Sequence, residues 1–396
     1  MKAKKISIGV KCGILYGLCL LCAGRAAEAT GGGHRAESLE NFRMHAQAAP
    51  EGLVLTDGGS YYQYQWALKN TGNMQRISAT EEGKITNSIA GIDIGIEPAW
   101  DVYEQIPQRR TVTVALIDTG VEVSHPELLN AIWVNGDEIP GDGIDNDGNG
   151  YVDDINGWNF HDGNNQVFAG EEDEHGTHGA GIIAGAWDGK GITGIADGNY
   201  VKIMVLKVLA SEEGIGLSDG VREAIRYARD NGADICNLSM GARDYDAEMD
   251  RLIRESPMLF IVSAGNGDEQ GMGYDIDASP VYPAACSGEN IITVANMMFD
   301  GNLDVTSNYG ASGVDIAAPG TYILSTIPGG YGFLTGTSMA APMVTGAAAL
   351  VWSCHPEWGP ADVRRRILDS AARRESLEGK CVTGGMLNVQ GAILPE

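Results

Sequence analysis

From residue 111 onward the chain alternates short, β-branched apolar runs with stretches of helical periodicity, and this alternation limits its possible folds severely. The runs TVTVALIDTG (111–120), VKIMVLKVL (201–209), ADICNLS (233–239), MLFIVSAGN (258–266) and NIITVAN (290–296) are apolar and Gly-bounded. A strand with one wet face alternates polar and apolar residues, so continuous apolar runs belong to strands covered on both faces. Between them, SDGVREAIRYARDNG (218–232) places Val221, Ala224, Ile225 and Ala228 along one stripe. Ser218 caps that helix and Gly232 stops it. TSMAAPMVTGAAALVWSC (337–354) reads as a buried apolar helix and PADVRRRILDSAAR (360–373) as an amphipathic one. Strand–helix alternation of this kind predicts a doubly wound α/β sandwich, with ligand chemistry at the carboxyl ends of the strands.

The 396 residues include 53 acidic and 27 basic side chains, a net charge of -26. Nucleic acid and anionic membrane surfaces would both repel such a chain, so neither is an expected partner. Lys2, Lys4, Lys5 and Lys11 begin the sequence, and an apolar run (12–24) leads to the small-x-small triplet Ala27-Glu28-Ala29. That pattern predicts a signal peptide over 1–29, cleavage near Ala29 and a secreted, extracellular protein. The run is shorter than the roughly 20 residues a membrane span needs. Cys19 and Cys22 follow leucines, not the small residue of a lipoprotein site, and no later run reads as long and apolar enough to span, so no stable membrane anchor is expected. Residues 30–64 form a short N-terminal extension or pro-segment, and 65–396 the main domain. Beyond the signal lie Cys236, Cys286, Cys354 and Cys381. Cys236, in an apolar run, is expected as a buried thiol, and Cys354 with Cys381 as the favoured bridge. No CxxC or Cys/His zinc spacing exists among the four.

Three stretches carry chemistry. Asp118 ends a predicted strand in LIDTG, His175 opens a Gly-rich helical stretch in DEHGTHGAGIIAG, and Ser338 opens another in GTSMAAP. Acyl transfer needs an exposed serine oxygen, a histidine to take its proton and a carboxylate to orient that histidine. A serine at a helix start also leaves backbone N–H groups aimed at the space where an oxyanion would form. A fourth stretch, SAGN, puts Asn266 just past a strand end, where its amide could donate a second hydrogen bond. DTG also marks aspartic proteases, but those pair two such loops or two short chains, and no second DTG or DSG occurs. HGTH offers two imidazoles, but not the glutamate-bearing HExxH of zinc peptidases.

LIDTGVEVSHPEL, HGTHGAG, SAGN and GTSMAAPMVTGAAAL resemble, in order and spacing, the motifs of the subtilisin family of serine proteases (subtilases), and nearly all of residues 65–392 can be read against it. The resemblance implies a subtilisin-like three-layer α/β/α sandwich with a mostly parallel central sheet, acting as a monomer on polypeptide substrates without an organic cofactor. It implies Asp118, His175 and Ser338 as the triad, Asn266 as the oxyanion donor, and His178 as a structural residue. LSMG matches a substrate-pairing strand through Ser239, Met240 and Gly241, and Gly214-Ile215-Gly216 matches the opposite strand. Ser263, Ala264 and Gly265 would wall the primary specificity pocket. The expected activity is that of a secreted serine endopeptidase. The alternatives are a non-catalytic, calcium-stabilised binding protein on the same fold and a dedicated maturation protease for one precursor.

Three features depart from the familiar secreted members of that family. Residues 30–64 are too few for their usual folding propeptide, since QWALKNTG (65–72) already reads as the start of a catalytic domain. Val281 falls where a small residue often floors the specificity pocket. The third is an insertion, NGDEIPGDGIDNDGNGYVDDINGWNF (135–160). Its DNDGNGYVDD segment puts Asp145, Asp147, Asn149 and Asp153 at positions 1, 3, 5 and 9 of a calcium-type loop, with Gly150 at position 6. Position 12 is Asn156 rather than the usual glutamate. A structural Ca2+ is expected there, against the simpler reading of an Asp/Asn/Gly turn cluster.

Overall fold

The computed structural model describes residues 41–44, 47–48, 59–77, 85–210, 216–286 and 288–394. The predicted signal peptide (1–29) and Gly214 lie outside the described residues. In the first part of the chain, β1 (Asn41–Met44), β2 (Gln47–Ala48) and the antiparallel pair β3 (Gln75–Ile77) and β4 (Ile85–Asn87) precede helix α1 (Ile96–Glu104). Next come β5 (Val112–Asp118), β6 (Gly157–Asn159), α2 (Glu174–Ala184), β7 (Val201–Lys207), β8 (Gly216–Leu217), α3 (Ser218–Asp230) and β9 (Ile235–Leu238). They are followed by β10 (Met240–Gly241), α4 (Ala247–Glu255), β11 (Leu259–Ser263), β12 (Ile291–Met297), β13 (Ile316–Pro319), β14 (Ile323–Ile327), β15 (Gly330–Thr335) and α5 (Thr337–Cys354). Last are α6 (Pro360–Asp369), β16 (Ala372–Arg373), β17 (Gly385–Met386) and α7 (Val389–Ile393).

Among the described residues the central sheet has nine strands in the order β16-β17-β13-β12-β11-β9-β5-β7-β6. Every neighbouring pair is parallel except β16 with β17. Side chains of a strand alternate between faces, and β5 shows the consequence. Val112, Val114 and Leu116 enter a core shared with α1, α2, α5, α6 and α7. Ala115 and Ile117 enter a second core under α3 and α4. With both faces covered, the apolar runs have no wet side, and the result is a three-layer α/β/α sandwich. Trp66, Ala67 and Leu68 join the first core, so residues 66–68 pack with the sheet.

The five predicted runs become β5, β7, β9, β11 and β12. β13 was not anticipated, because IAAP is too short and Ala-rich to signal a strand. The end of the insertion over 135–160 supplies β6, which extends the sheet alongside β7. Two expectations are corrected. α5 is, by length and composition, apolar enough to cross a membrane, but it is entirely buried and serves as the central core helix. Cys354 and Cys381 form no bridge, and all four described cysteines are free. Cys354 lies in the first core and Cys381 in the second, on opposite faces of the sheet.

Candidate active site

The carboxyl edge of the sheet brings the predicted residues together. Asp118 is the last residue of β5, and its Oδ1 accepts the Thr119 backbone N–H at 2.7 Å and His175 Nδ1–H at 2.9 Å. His175 lies in the first turn of α2, and both side chains are buried (1% and 2% exposed). Two glycines allow this approach. A Cβ at Gly120 (φ 128°) would lie 2.6 Å from the Val167 carbonyl and 2.8 Å from the Asp173 carboxyl, and one at Gly176 only 2.1 Å from the Gly120 carbonyl. Thr119 Oγ1 accepts the Gly176 N–H at 3.1 Å. Beneath them, the buried Lys207 ammonium donates to the Asp173 carboxylate and to the Thr119 carbonyl. Sequence reasoning missed Lys207, whose only signal was a lysine inside the apolar run VKIMVLKVL.

Ser338 sits in the first turn of α5; the sequence led to an exposed serine oxygen, but the residue is only 1% exposed, and its Oγ donates to the Ser239 carbonyl at 3.2 Å. Asn266 follows β11, and its Oδ1 accepts both the Thr337 N–H and the Thr337 hydroxyl at 2.8 Å. An amide whose oxygen is committed in this way has only its NH2 left to offer, the polarity an oxyanion donor requires. Thr337, which sequence reasoning missed, therefore orients Asn266. His178 donates from Nε2 to the Ile323 carbonyl at 2.9 Å, and burial pushes its pKa down to about 3. It stays neutral inside the core, as a structural residue should.

The predicted substrate walls are backbone edges. Ser239 links β9 to β10, and Gly216 begins β8. β1 pairs antiparallel with both edges, Arg43 opposite Gly241 and Met44 opposite Met240 on one side, Phe42 opposite Gly216 and Asn41 opposite Leu217 on the other. β2 pairs with β15, with Gln47 opposite Thr335. The chain's own N-terminal strand thus lies in the groove between β8 and β10. Ser263 ends β11, and Ala264 and Gly265 (φ 96°) follow it. Asn308 fixes that turn by donating to the Ala264 carbonyl at 2.9 Å, another contact the sequence did not signal. Val281 is buried against β10, where a Cβ at Gly241 would lie 2.8 Å from its Cγ1.

The insertion brings together Asp145, Asp147 and Glu138, whose carboxylate oxygens lie within 4.8 Å of one another. Asp145 accepts the N–H groups of Gly150, Gly148 and Asn149, which hold its pKa below the usual carboxylate range. Of the four anticipated ligands, Asp153 (φ 55°) turns away, its carboxylate taking the N–H groups of Gly141 and Gly143. Asn149 donates to Asp147 and to the buried Asp154 at 3.0 Å, and its Oδ1 takes the Tyr151 N–H. Glu138 was missed because it lies upstream of the loop pattern.

The family model described as the subtilase family (Peptidase_S8) matches residues 109–392. The chain belongs to the subtilase family. Among its relatives, halolysin of Haloferax mediterranei is 32% identical over 315 residues, 78% of this subtilase and 53% of halolysin. Subtilisin-like protease 1 of Plasmodium berghei is 28% identical, over 84% of this chain and 54% of its own length, so the chain spans about half of either protein. Subtilisin BL of Lederbergia lenta is 31% identical over 71% of this chain and 90% of its own. A solved protease of Pseudoalteromonas arctica PAMC 21717 shares the fold, with a TM-score of 0.59 at 22% identity over 85% of this chain and 99% of that one.

In this subtilase, Asn266→Ala should lower kcat by about 10²–10³ with little change in KM, the size of loss expected for removal of one oxyanion donor. A raised KM at unchanged kcat would make Asn266 an ordinary substrate contact. His178 yields a pH prediction. Its folded pKa of about 3 lies below the ordinary 6.5, so the unfolded chain binds the extra proton first as pH falls. Its stabilising contribution is complete above pH 6.5 and is lost progressively toward pH 3. Denaturant unfolding of His178→Gln should show a flatter dependence across that window, and an unchanged slope would assign the titration to other groups.

Proposed function

We propose that this subtilase is a serine endopeptidase that cleaves polypeptides through an acyl-enzyme on Ser338. The observation that carries this reading is the buried Asp118–His175 hydrogen bond beside a helix whose first turn presents Ser338. Because a carboxylate can only accept, His175 carries its proton on Nδ1, which leaves Nε2 as the base. His175 takes the Ser338 hydroxyl proton as Oγ attacks the scissile carbonyl carbon, and Asp118 stabilises the imidazolium that results. The oxyanion is met by the Asn266 amide and the Ser338 backbone N–H. Collapse breaks the peptide C–N bond, the departing amine takes the proton from His175, and water then hydrolyses the ester by the same route in reverse.

Peptides bind as an extended strand between β8 and β10, by main-chain pairing of the kind β1 already makes there. Substrate therefore displaces β1, and occupancy of the groove by the chain's own segment restrains the enzyme until it is displaced. Export as a monomer belongs to the same reading, supported by the basic start and apolar run of residues 1–29.

We also propose a structural calcium ion held by Glu138, Asp145 and Asp147. An all-oxygen set of clustered carboxylates suits a hard cation. The bound ion would offset the repulsion among the three charges and brace the insertion, whose Asp154 accepts the Tyr227 hydroxyl of α3 and the Asn135 amide.

Ser338→Ala should fold normally and lose peptidase turnover and labelling by a serine-directed fluorophosphonate. Near-wild-type turnover in the variant would overturn the assignment, and a wild-type protein that neither labels nor cleaves would favour the non-catalytic alternative. A peptide-library cleavage profile separates a broad protease from one dedicated to a single precursor. Excess chelator should lower the melting temperature by about 5–10 °C, as expected for saturation at 100 Kd, with initial rates nearly unchanged. Asp147→Ala should reproduce that loss, and equal melting temperatures with calcium and with chelator would reduce the cluster to a turn.

A further inference from the structure

We infer that the side chain of Ser239 is a positioning residue for the nucleophile. It supplies to Ser338 the hydrogen bond that Pro342 removes from α5, and Asn237 and Thr345 aim it. The kinetic part of this inference rests on the endopeptidase reading above.

In an α-helix the carbonyl of each residue accepts the N–H of the residue four further on. For Ser338 that residue is Pro342, which has no N–H. Every residue of α5 is buried, so solvent cannot compensate, and a buried carbonyl without a donor is costly. The missing donor comes from the neighbouring strand end: Ser239 Oγ donates to the Ser338 carbonyl at 3.1 Å. Asn237 Nδ2 donates to that hydroxyl at 3.0 Å, and Thr345 Oγ1 donates to Asn237 Oδ1 at 2.7 Å. Asn237, Ser239, Ser338 and Thr345 are each no more than 1% exposed.

The polarity of this chain follows from the Ser338 carbonyl, which can only accept. Ser239 Oγ therefore donates its proton there, so it accepts from the Asn237 amide nitrogen, and the Asn237 amide oxygen is left to accept from Thr345 Oγ1. Asn237 and Ser239 are two residues apart at the end of β9, the spacing that turns both toward the same face, here the one covered by α5. In return Ser338 Oγ donates to the Ser239 carbonyl at 3.2 Å. One residue thus holds the first turn of α5 through its side chain and passes directly into β10, the substrate wall. The distance between nucleophile and bound peptide is set through Ser239, and nothing in α5 itself could set it.

The test compares wild type, Ser239→Ala, Thr345→Val and Pro342→Ala, with each of the first two substitutions also made in the Pro342→Ala background. Ser239→Ala should lower kcat about tenfold, the effect of one buried neutral hydrogen bond, with KM within about twofold. Fluorophosphonate labelling should slow by a similar factor, because it reports on Ser338 without a peptide paired to β10. Thr345→Val should show a smaller loss in the same direction. The Pro342→Ala background restores an N–H at residue 342, so Ser239→Ala should lose little there. Equal losses in both backgrounds would overturn the inference, as would a raised KM with unchanged labelling. If Ser239→Ala alone does not fold, recovery of folded protein in the Pro342→Ala background supports it, and failure of both to fold leaves Thr345→Val to decide by the same comparison. Should wild type prove inactive, the endopeptidase reading fails by itself. The melting-temperature loss from Ser239→Ala, expected to shrink in the Pro342→Ala background, then tests the hydrogen-bond replacement alone.

Discussion

The arrangement of this site depends on the close contact between the end of β5 and the start of α2. Asp118 and His175 share a hydrogen bond only because the backbone of Thr119 and Gly120 is pressed against Gly176, at a separation no side chain would permit. The Lys207–Asp173 pair underlies that contact, tying the Thr119 carbonyl of one element to the residue that precedes the other. Burying an ion pair offers little net stability, but breaking one partner leaves an uncompensated charge in the core. Such a pair fixes position more than it adds stability, and here it fixes the two elements that carry Asp118 and His175.

The two helices that present His175 and Ser338 are secured in different ways. α2 lies against β14, where Ser325 and Thr326 donate to the carbonyls of His178 and Thr177 at 2.7 Å. Gly181 makes room, since a Cβ there would lie 2.3 Å from Thr326 Oγ1. α5 is apolar and buried throughout, yet it carries a proline in its second turn and so gives up a backbone donor close to Ser338. In both cases hydroxyl groups from neighbouring elements satisfy helix carbonyls, which locks each helix along its axis as dispersion contacts alone would not.

The groove and the insertion extend this frame outward. β8 and β10 are short strands with open edges, and an open edge invites pairing with another strand. β1 of the same chain meets that demand. The insertion contributes β6 to the sheet and an aromatic cluster of Tyr151, Trp158 and Phe160 that packs on Tyr227 of α3, the helix that follows β8. The acidic loop and the β8 edge therefore share a rigid support, although 80 residues of sequence separate Asp147 from Tyr227.

The sequence by itself determined the parallel sheet and the ends of its principal strands, and it singled out Asp118, His175, Asn266 and Ser338 as the proposed site. Apolar periodicity and turn-bounded motifs are local, and each of those residues stands at the end of the element that presents it. Tertiary structure alone decided which groups aim and hold them. Lys207, Thr337, Asn308 and the chain from Thr345 through Asn237 to Ser239 act across elements far apart in sequence, and no local pattern records which strand lies beside which helix. The same reason explains the corrections. Cys354 and Cys381 are close in sequence but divided by the sheet, and Glu138 joins Asp145 and Asp147 while Asp153 turns away because one left-handed residue redirects its side chain. Spacing along a chain fixes which groups are available, and packing in three dimensions fixes which of them meet.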